Sequence, residues 1–160
     1  MVKKSEITIV IVSYYRGERL KRCLDSINKL TPIIVWDNNT TGEELDKVKS
    51  AEQTHPHSQF IYSKENVGLV KAWNQGIIQS KTDWVLLTCD DMIFDEDWFD
   101  VFTSILEEKP QLEQIHLNSF NCVALHKKTI VRMGWWDERY RYYPNMEDIE
   151  DIIKSLLHEV

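Results

Sequence analysis

Six consecutive residues, Ile7-Thr8-Ile9-Val10-Ile11-Val12, form a near-continuous β-branched run. Successive side chains of a strand point to opposite faces, so a strand with one wet face alternates apolar and polar residues, whereas one without alternation is covered on both sides. The chain is therefore expected to build around a central, doubly covered strand. That requirement points to an α/β sheet with helices on both faces.

The remaining pattern extends the same plan. Leu20, Cys23, Leu24 and Ile27 fall at helical spacing between Glu18 and Asn28, and Pro32 separates this helix from a second buried strand, Ile33-Ile34-Val35-Trp36. Asp37 to Gly42 is turn chemistry, followed by a mainly polar helix to about Thr54, a loop with Pro56 and a short strand from Gln59 to Tyr62. Asn66-Val67-Gly68 opens a helix whose buried stripe is Val70, Trp73 and Ile77 or Ile78, and Thr82-Asp83 turns the chain into the apolar run Trp84-Val85-Leu86-Leu87-Thr88. Trp98, Phe99, Phe102, Ile105 and Leu106 mark an amphipathic helix that stops before Pro110. Strands are expected near Gln114 to Leu117 and Phe120 to Leu125, then a short helix from Lys127 to Met133, an aromatic loop from Gly134 to Asn145 and a last helix from Glu147 to His158. Successive β-then-α units predict a mostly parallel sheet with right-handed crossovers. The carboxyl ends of its strands share one edge, where ligands bind, and that edge would hold Ser13-Tyr14, Asp37-Asn38 and Asp90-Asp91.

Composition narrows the ligand. The 160 residues, 42% of them apolar, suit one domain spanning 1–160. A net charge of −7 argues against holding nucleic acid or an anionic membrane by general attraction, so a phosphate-bearing ligand needs a metal or a few placed cations. No apolar stretch approaches the ~20 residues of a bilayer span, and the first residues, with Glu6 ahead of a strand-length run, lack a signal-peptide core. A cytoplasmic address is expected. Cys23, Cys89 and Cys122 have no CxxC spacing, which disfavours a zinc knuckle: the first and last read as core residues and Cys89 as pocket lining. His55, His57, His116 and His126 show no ligand spacing, and His158 reads as surface.

Asp90-Asp91, directly after a buried run, is the sharpest chemical signal. Two adjacent hard oxygen ligands with little other metal-binding equipment nearby suit Mg²⁺ or Mn²⁺ carrying a phosphate ester better than zinc. The chain thus reads as an enzyme handling a nucleotide diphosphate. Blander readings stand beside this one: adjacent acids are often solvated, Asp95 or Asp97 can cap the helix at Trp98, and Glu147-Asp148 with Glu150-Asp151 suits the first turn of a helix.

Five blocks, in order, carry a resemblance. Val10-Ile11-Val12-Ser13-Tyr14-Tyr15-Arg16, Ile33-Ile34-Val35-Trp36-Asp37-Asn38-Asn39, Asn66-x-Gly68-x-x-x-Ala72-x-Asn74-x-Gly76, Asp83-x-Val85-Leu86-Leu87-x-x-Asp90-Asp91, and Gly134-Trp135-Trp136-Asp137-Glu138 followed by Glu147-Asp148 resemble the family 2 glycosyltransferases. The resemblance implies the GT-A fold, a hexosyltransferase-type enzyme using a UDP- or dTDP-sugar, Mn²⁺ or Mg²⁺ at the acid pair, and transfer with inversion to a hydroxyl acceptor such as a glycan. Carried over residue by residue, Tyr14 would stack on the nucleobase and Asp37 would accept from a base N–H. Asp90 would face the ribose or the metal shell, Asp91 would ligate the metal, and Lys71 would reach a phosphate. Ser13 and Asn66 join the donor-binding set. Asp148 would be the general base.

A structural account covers part of the third block: Asn66 caps the helix, Gly68 allows close packing, and Asn74 bonds backbone. The acid motif reads Thr88-Cys89-Asp90-Asp91, so DxD spacing is absent, and only about 55 residues separate Asp91 from Glu147, which implies a minimal or missing acceptor half. That shortness leaves open a catalytically silent GT-A module that binds a nucleotide sugar or a partner protein. A sugar-1-phosphate nucleotidyltransferase is disfavoured, because the segment Ser13 to Gly17 lacks a Gly-rich basic loop. The aromatic stretch Gly134 to Pro144 is expected to supply an acceptor subsite, with one of Trp135 and Trp136 plugging the core.

Overall fold

A computed structural model describes residues 2–118 and 121–138. After a single turn of 3₁₀ helix at Lys4–Glu6, the elements are β1 (Ile7–Ser13), α1 (Gly17–Asp25), β2 (Ile33–Asp37), α2 (Gly42–Thr54), β3 (Ser58–Tyr62) and α3 (Leu69–Gln79). They continue with β4 (Trp84–Cys89), α4 (Trp98–Glu108), β5 (Gln114–Asn118), β6 (Cys122–His126) and α5 (Lys127–Met133).

The strands form one sheet in the order β3-β2-β1-β4-β6-β5. The run β3-β2-β1-β4 is parallel, as the alternating pattern predicts, and β6 pairs antiparallel with both β4 and β5. The chain leaves β4 through α4 and returns two places away as β5, and β6 then fills the gap. Every residue of β1 is buried, which is the physical reason for its near-continuous β-branched run.

The two faces of β1 belong to two cores. Ile7, Ile9 and Ile11 lie in the cluster with Leu20 and Leu24 of α1, Val48 of α2, and Phe99 and Phe102 of α4. Val10 and Val12 lie in the other, with Trp73 and Ile77 of α3 and Ile130 of α5. Each such side chain contributes about 1.5–3 kcal/mol by leaving water, so this strand locks both helical layers to the sheet. Helix α3 lies especially close: a Cβ added at Gly76 would stand 2.3 Å from Val10 Cγ1. Helix α5 is fixed by the Glu113 carboxylate, which accepts from Thr129 Oγ1 at 2.7 Å and pairs with Arg132 at 2.6 Å and Lys128 at 3.0 Å.

Local expectations about helix starts need correction. Asn66 does not cap α3, because the N-cap position is Gly68, at φ 83°, a backbone conformation that side chains resist. Gly76 supplies the close packing of α3 on β1. Asp97 occupies the N-cap of α4 without a side-chain capping bond, and the Trp98 N–H is taken by the Asp95 carbonyl. Among the described residues no helix is long and apolar enough to cross a membrane.

Candidate active site

The register brings the predicted polar clusters together. Ser13 pairs with Asp37 and Val12 with Cys89, so the ends of β2, β1 and β4 stand side by side with β1 in the middle. The loops that follow are tied across the strands: Asn38 N–H donates to the Ser13 carbonyl at 2.8 Å, and Tyr15 N–H to Thr40 Oγ1 at 3.0 Å. Tyr15 takes a left-handed conformation, φ 55°, to make that turn.

The two acids after β4 have different surroundings. Asp90 is 3% exposed, and its Oδ2 accepts from Ser13 Oγ at 2.8 Å and from Tyr14 N–H at 3.3 Å. Burial pushes its carboxyl above the usual range, opposed by these two bonds and by Arg16. Asp91 is 47% exposed on its side chain and stands 3.5 Å from Arg16 Nη1, which is also 3.8 Å from Asp90 Oδ1. Asp90 is therefore anchored to β1, and Asp91 is presented outward. Among the described residues no group of three or more His, Cys, Asp or Glu forms an all-protein cage. One or two carboxylates completed by ligand phosphates and water is the donor set that Mg²⁺ or Mn²⁺ takes, so the residues fit such an ion.

Asp37 is 1% exposed. Its Oδ2 accepts from Thr40 N–H at 2.9 Å, while Oδ1 is buried without a partner. A buried acceptor left unpaired costs about 1–3 kcal/mol, and a ligand N–H is the simplest way to recover it. Tyr14, 46% exposed, rests edge-on against Tyr15 at 4.7 Å, leaving ring surface for a planar group.

Asn66 and Asn38 form a second tie. Asn66 Oδ1 accepts from Asn38 Nδ2 at 2.7 Å and from Gly68 N–H at 2.9 Å, and Asn38 Oδ1 accepts from Val67 N–H at 2.9 Å. These bonds fasten the loop ahead of α3 to the end of β2. Lys71 stands half-buried in the first turn of that helix.

Arg16 was not marked by the sequence, where it is an ordinary loop cation. Asn74 bonds the backbone of Trp136 and the side chain of Glu138: its Nδ2 donates to the Trp136 carbonyl at 2.9 Å and to Glu138 Oε1 at 3.1 Å, and its Oδ1 accepts from Trp136 N–H at 3.4 Å. An asparagine four residues after Val70 and three before Ile77, on the apolar face of the helix, was the available signal. Trp136 packs on the core against Trp73 at 5.7 Å, while Trp135 is 40% exposed, the division expected of the pair. Asp148, the last expected helix with His158, and the aromatic stretch from Arg139 onward lie outside the described residues.

The cysteines are chemically quiet. Cys23 and Cys122 are buried and Cys89 half-buried, and desolvation pushes all three thiols up to about 12, far from a nucleophile's range. A cavity of about 480 Å³ lies at the opposite edge beside Glu6, Asp83 and Trp84, where strands begin. A smaller cleft of about 230 Å³ is lined by Arg19, Arg22, Asp91 and Ile93, beside the acids.

Comparison with known proteins agrees with this geometry. The family model described as glycosyl transferase family 2 matches residues 8–154. No curated protein matches the sequence significantly. Among solved structures, the mannosyltransferase PcManGT from Pyrobaculum calidifontis, in complex with GDP-Man and Mn²⁺, is similar with a TM-score of 0.71 at 15% identity, over 83% of this chain and 48% of that one. S. aureus TarS 1-349 in complex with UDP is similar with a TM-score of 0.68 at 11% identity, over 85% of this chain and 51% of that one. The chain thus spans about half the length of these neighbours, and identities this low establish the fold alone.

Proposed function

The chain belongs to glycosyl transferase family 2 and has the GT-A fold, and on that premise we propose that it is a metal-dependent glycosyltransferase domain. It moves a sugar from a nucleotide diphosphate donor, a UDP- or dTDP-sugar, to a hydroxyl acceptor with inversion at the anomeric carbon. The observation that carries this reading is the placement of a buried, half-satisfied Asp37 on one side of the β1 terminus and of Asp90-Asp91 on the other. One flank offers an acceptor for a base N–H, the other carboxylate oxygens for a hard cation.

Each residue then has a task. Tyr14 supplies the stacking face and Asp37 accepts from the base, while Ser13 holds Asp90, whose remaining oxygen faces the ribose or the metal shell. Asn66 fixes the loop that delivers Lys71 toward the phosphates. Asp91 holds Mn²⁺ or Mg²⁺, and the bound ion supplies neutralisation of charge on the departing diphosphate. Asp148 takes the proton from the acceptor hydroxyl as its oxygen bonds to the anomeric carbon, the bond from that carbon to the phosphate oxygen breaks, and the nucleoside diphosphate leaves.

Calorimetry with UDP, dTDP and their sugars, with and without Mn²⁺, tests the reading. Asp91→Asn should remove most metal-dependent affinity and move stability by no more than about 0.5 kcal/mol, as for an exposed side chain. With an acceptor in hand, Asp148→Asn should keep donor binding and lose roughly 10²–10⁴-fold in turnover. Equal nucleotide binding in chelator removes the metal from the mechanism, and donor binding without transfer to any hydroxyl acceptor leaves a silent module.

A further inference from the structure

Arg16 is the one cation in contact with the acid pair among the ion pairs of the described residues, and its attachment is unequal along its length. Its backbone is fixed, because the neighbouring amides of Tyr14, Tyr15 and Gly17 donate to Asp90, Thr40 and Glu44, and the Arg16 carbonyl accepts from Leu20 N–H. Its side chain is 49% exposed, and its approaches to Asp91 and Asp90, at 3.5 and 3.8 Å, are charge contacts beyond ordinary hydrogen-bond length. A long cation held at the root and only by charge at the tip can exchange partners without disturbing the loop.

We propose that Arg16 is an exchangeable counter-ion for the acid pair: it neutralises Asp90 and Asp91 when the site is empty, yields Asp91 to the arriving divalent cation, and turns to the diphosphate which that cation carries. The proposal rests on Asp91 being the metal ligand. Its logic is electrostatic. A bare dication and a guanidinium compete for the same carboxylates and repel each other, so Arg16 opposes metal binding alone. A metal diphosphate brings anionic oxygens with it, and Arg16 then favours the complex. The cleft at Asp91 is lined further along α1 by Arg19 and Arg22, so an anion arriving there meets more positive charge in a chain that is acidic overall. Arg16 thereby couples the two ligands, each raising the affinity for the other, and disfavours an unproductive metal-only state.

Titration calorimetry on the intact chain, with Mn²⁺ alone, UDP alone and UDP in saturating Mn²⁺, tests this on wild type, Arg16→Gln, Arg16→Lys and Asp91→Asn. Arg16→Gln should bind Mn²⁺ alone about three- to tenfold more tightly, the scale of one removed charge near a solvated site, and bind UDP in Mn²⁺ more weakly by a similar factor. Arg16→Lys should behave more like wild type, because charge carries the effect. If Mn²⁺ binds in an Asp91-dependent manner and Arg16→Gln leaves its affinity unchanged or lowers it, the counter-ion role is overturned while the metal site stands. If Mn²⁺ binds none of the proteins, with or without UDP, both fail.

Discussion

Ser13 donates its hydroxyl to the carboxylate of Asp90 across 2.8 Å, joining the last residue of β1 to the first residue beyond β4. Together with the Tyr14 amide, this bond holds a charged group in a nearly sealed position at the centre of the sheet edge. The arrangement favours a fixed site over maximum stability, since an ionised carboxylate out of water is costly even when hydrogen-bonded.

That cost gives a pH signature. Burial raises the folded-state pKa of Asp90 above its unfolded value, so the folded protein keeps this proton to higher pH than the unfolded chain. The group's contribution favours folding fully below the unfolded pKa and declines as pH rises through the folded one. Asp90→Asn should therefore melt at the same or a higher temperature than wild type at pH 7, with the gap closing toward pH 4, while its affinity for UDP in Mn²⁺ falls. Melting curves at both pH values check this, and a lower melting temperature at pH 7 would show that the charge itself supports the fold.

Asn74 should behave as a positioning residue. Asn74→Ala leaves the Trp136 carbonyl and amide without their side-chain partner, at a cost of about 1–3 kcal/mol. The segment it releases leads toward Asp148, so the fall in kcat should exceed any change in donor affinity. Donor titration and turnover on the same preparation separate the effects. A fall in donor affinity with an unchanged melting temperature would instead put Asn74 in the nucleotide pocket.

Gly76 tests the packing of α3 on β1. Gly76→Ala forces a methyl group to within 2.3 Å of Val10 Cγ1, and overpacking of this kind costs about 1–3 kcal/mol. Val10→Ala makes room, so the double variant should be more stable than the sum of the two single effects. Denaturant titration of the four proteins measures that coupling, and strict additivity would mean that helix and strand separate freely.

Legibility in the sequence followed the physics of each signal. The unbroken run at Ile7 to Val12 and the short apolar runs at Ile33 and Trp84 are statements about burial on both faces, and they located the central strands and the edge holding Ser13, Asp37 and Asp90-Asp91. The antiparallel insertion of β6 was not legible, because Cys122–His126 reads as a buried strand whichever way it runs. Nor was the split between Asp90 and Asp91: adjacent residues of one type look alike until the fold buries one and exposes the other. Arg16 was missed for a related reason, since its partners lie about 75 residues away in the chain. Asn66 was misassigned as a cap because Asn is good at both tasks, and only the positive φ of Gly68 shows which residue opens the helix.

The strand order also has a consequence for the chain as it is being made. β6 lies between two strands that are synthesised before it. When β4 leaves the ribosome, one of its edges finds β1 and the other stays bare, while β5 emerges next with no neighbour at all. The two cannot meet across a gap one strand wide. Until residue 126 is available, the open edge is Trp84 to Thr88, five residues without a charge to deter a stranger. The bare edge therefore lasts for the seconds in which residues 89–126 are made, at about 5–20 residues per second, and the hairpin that covers it then forms in only ~1–10 μs.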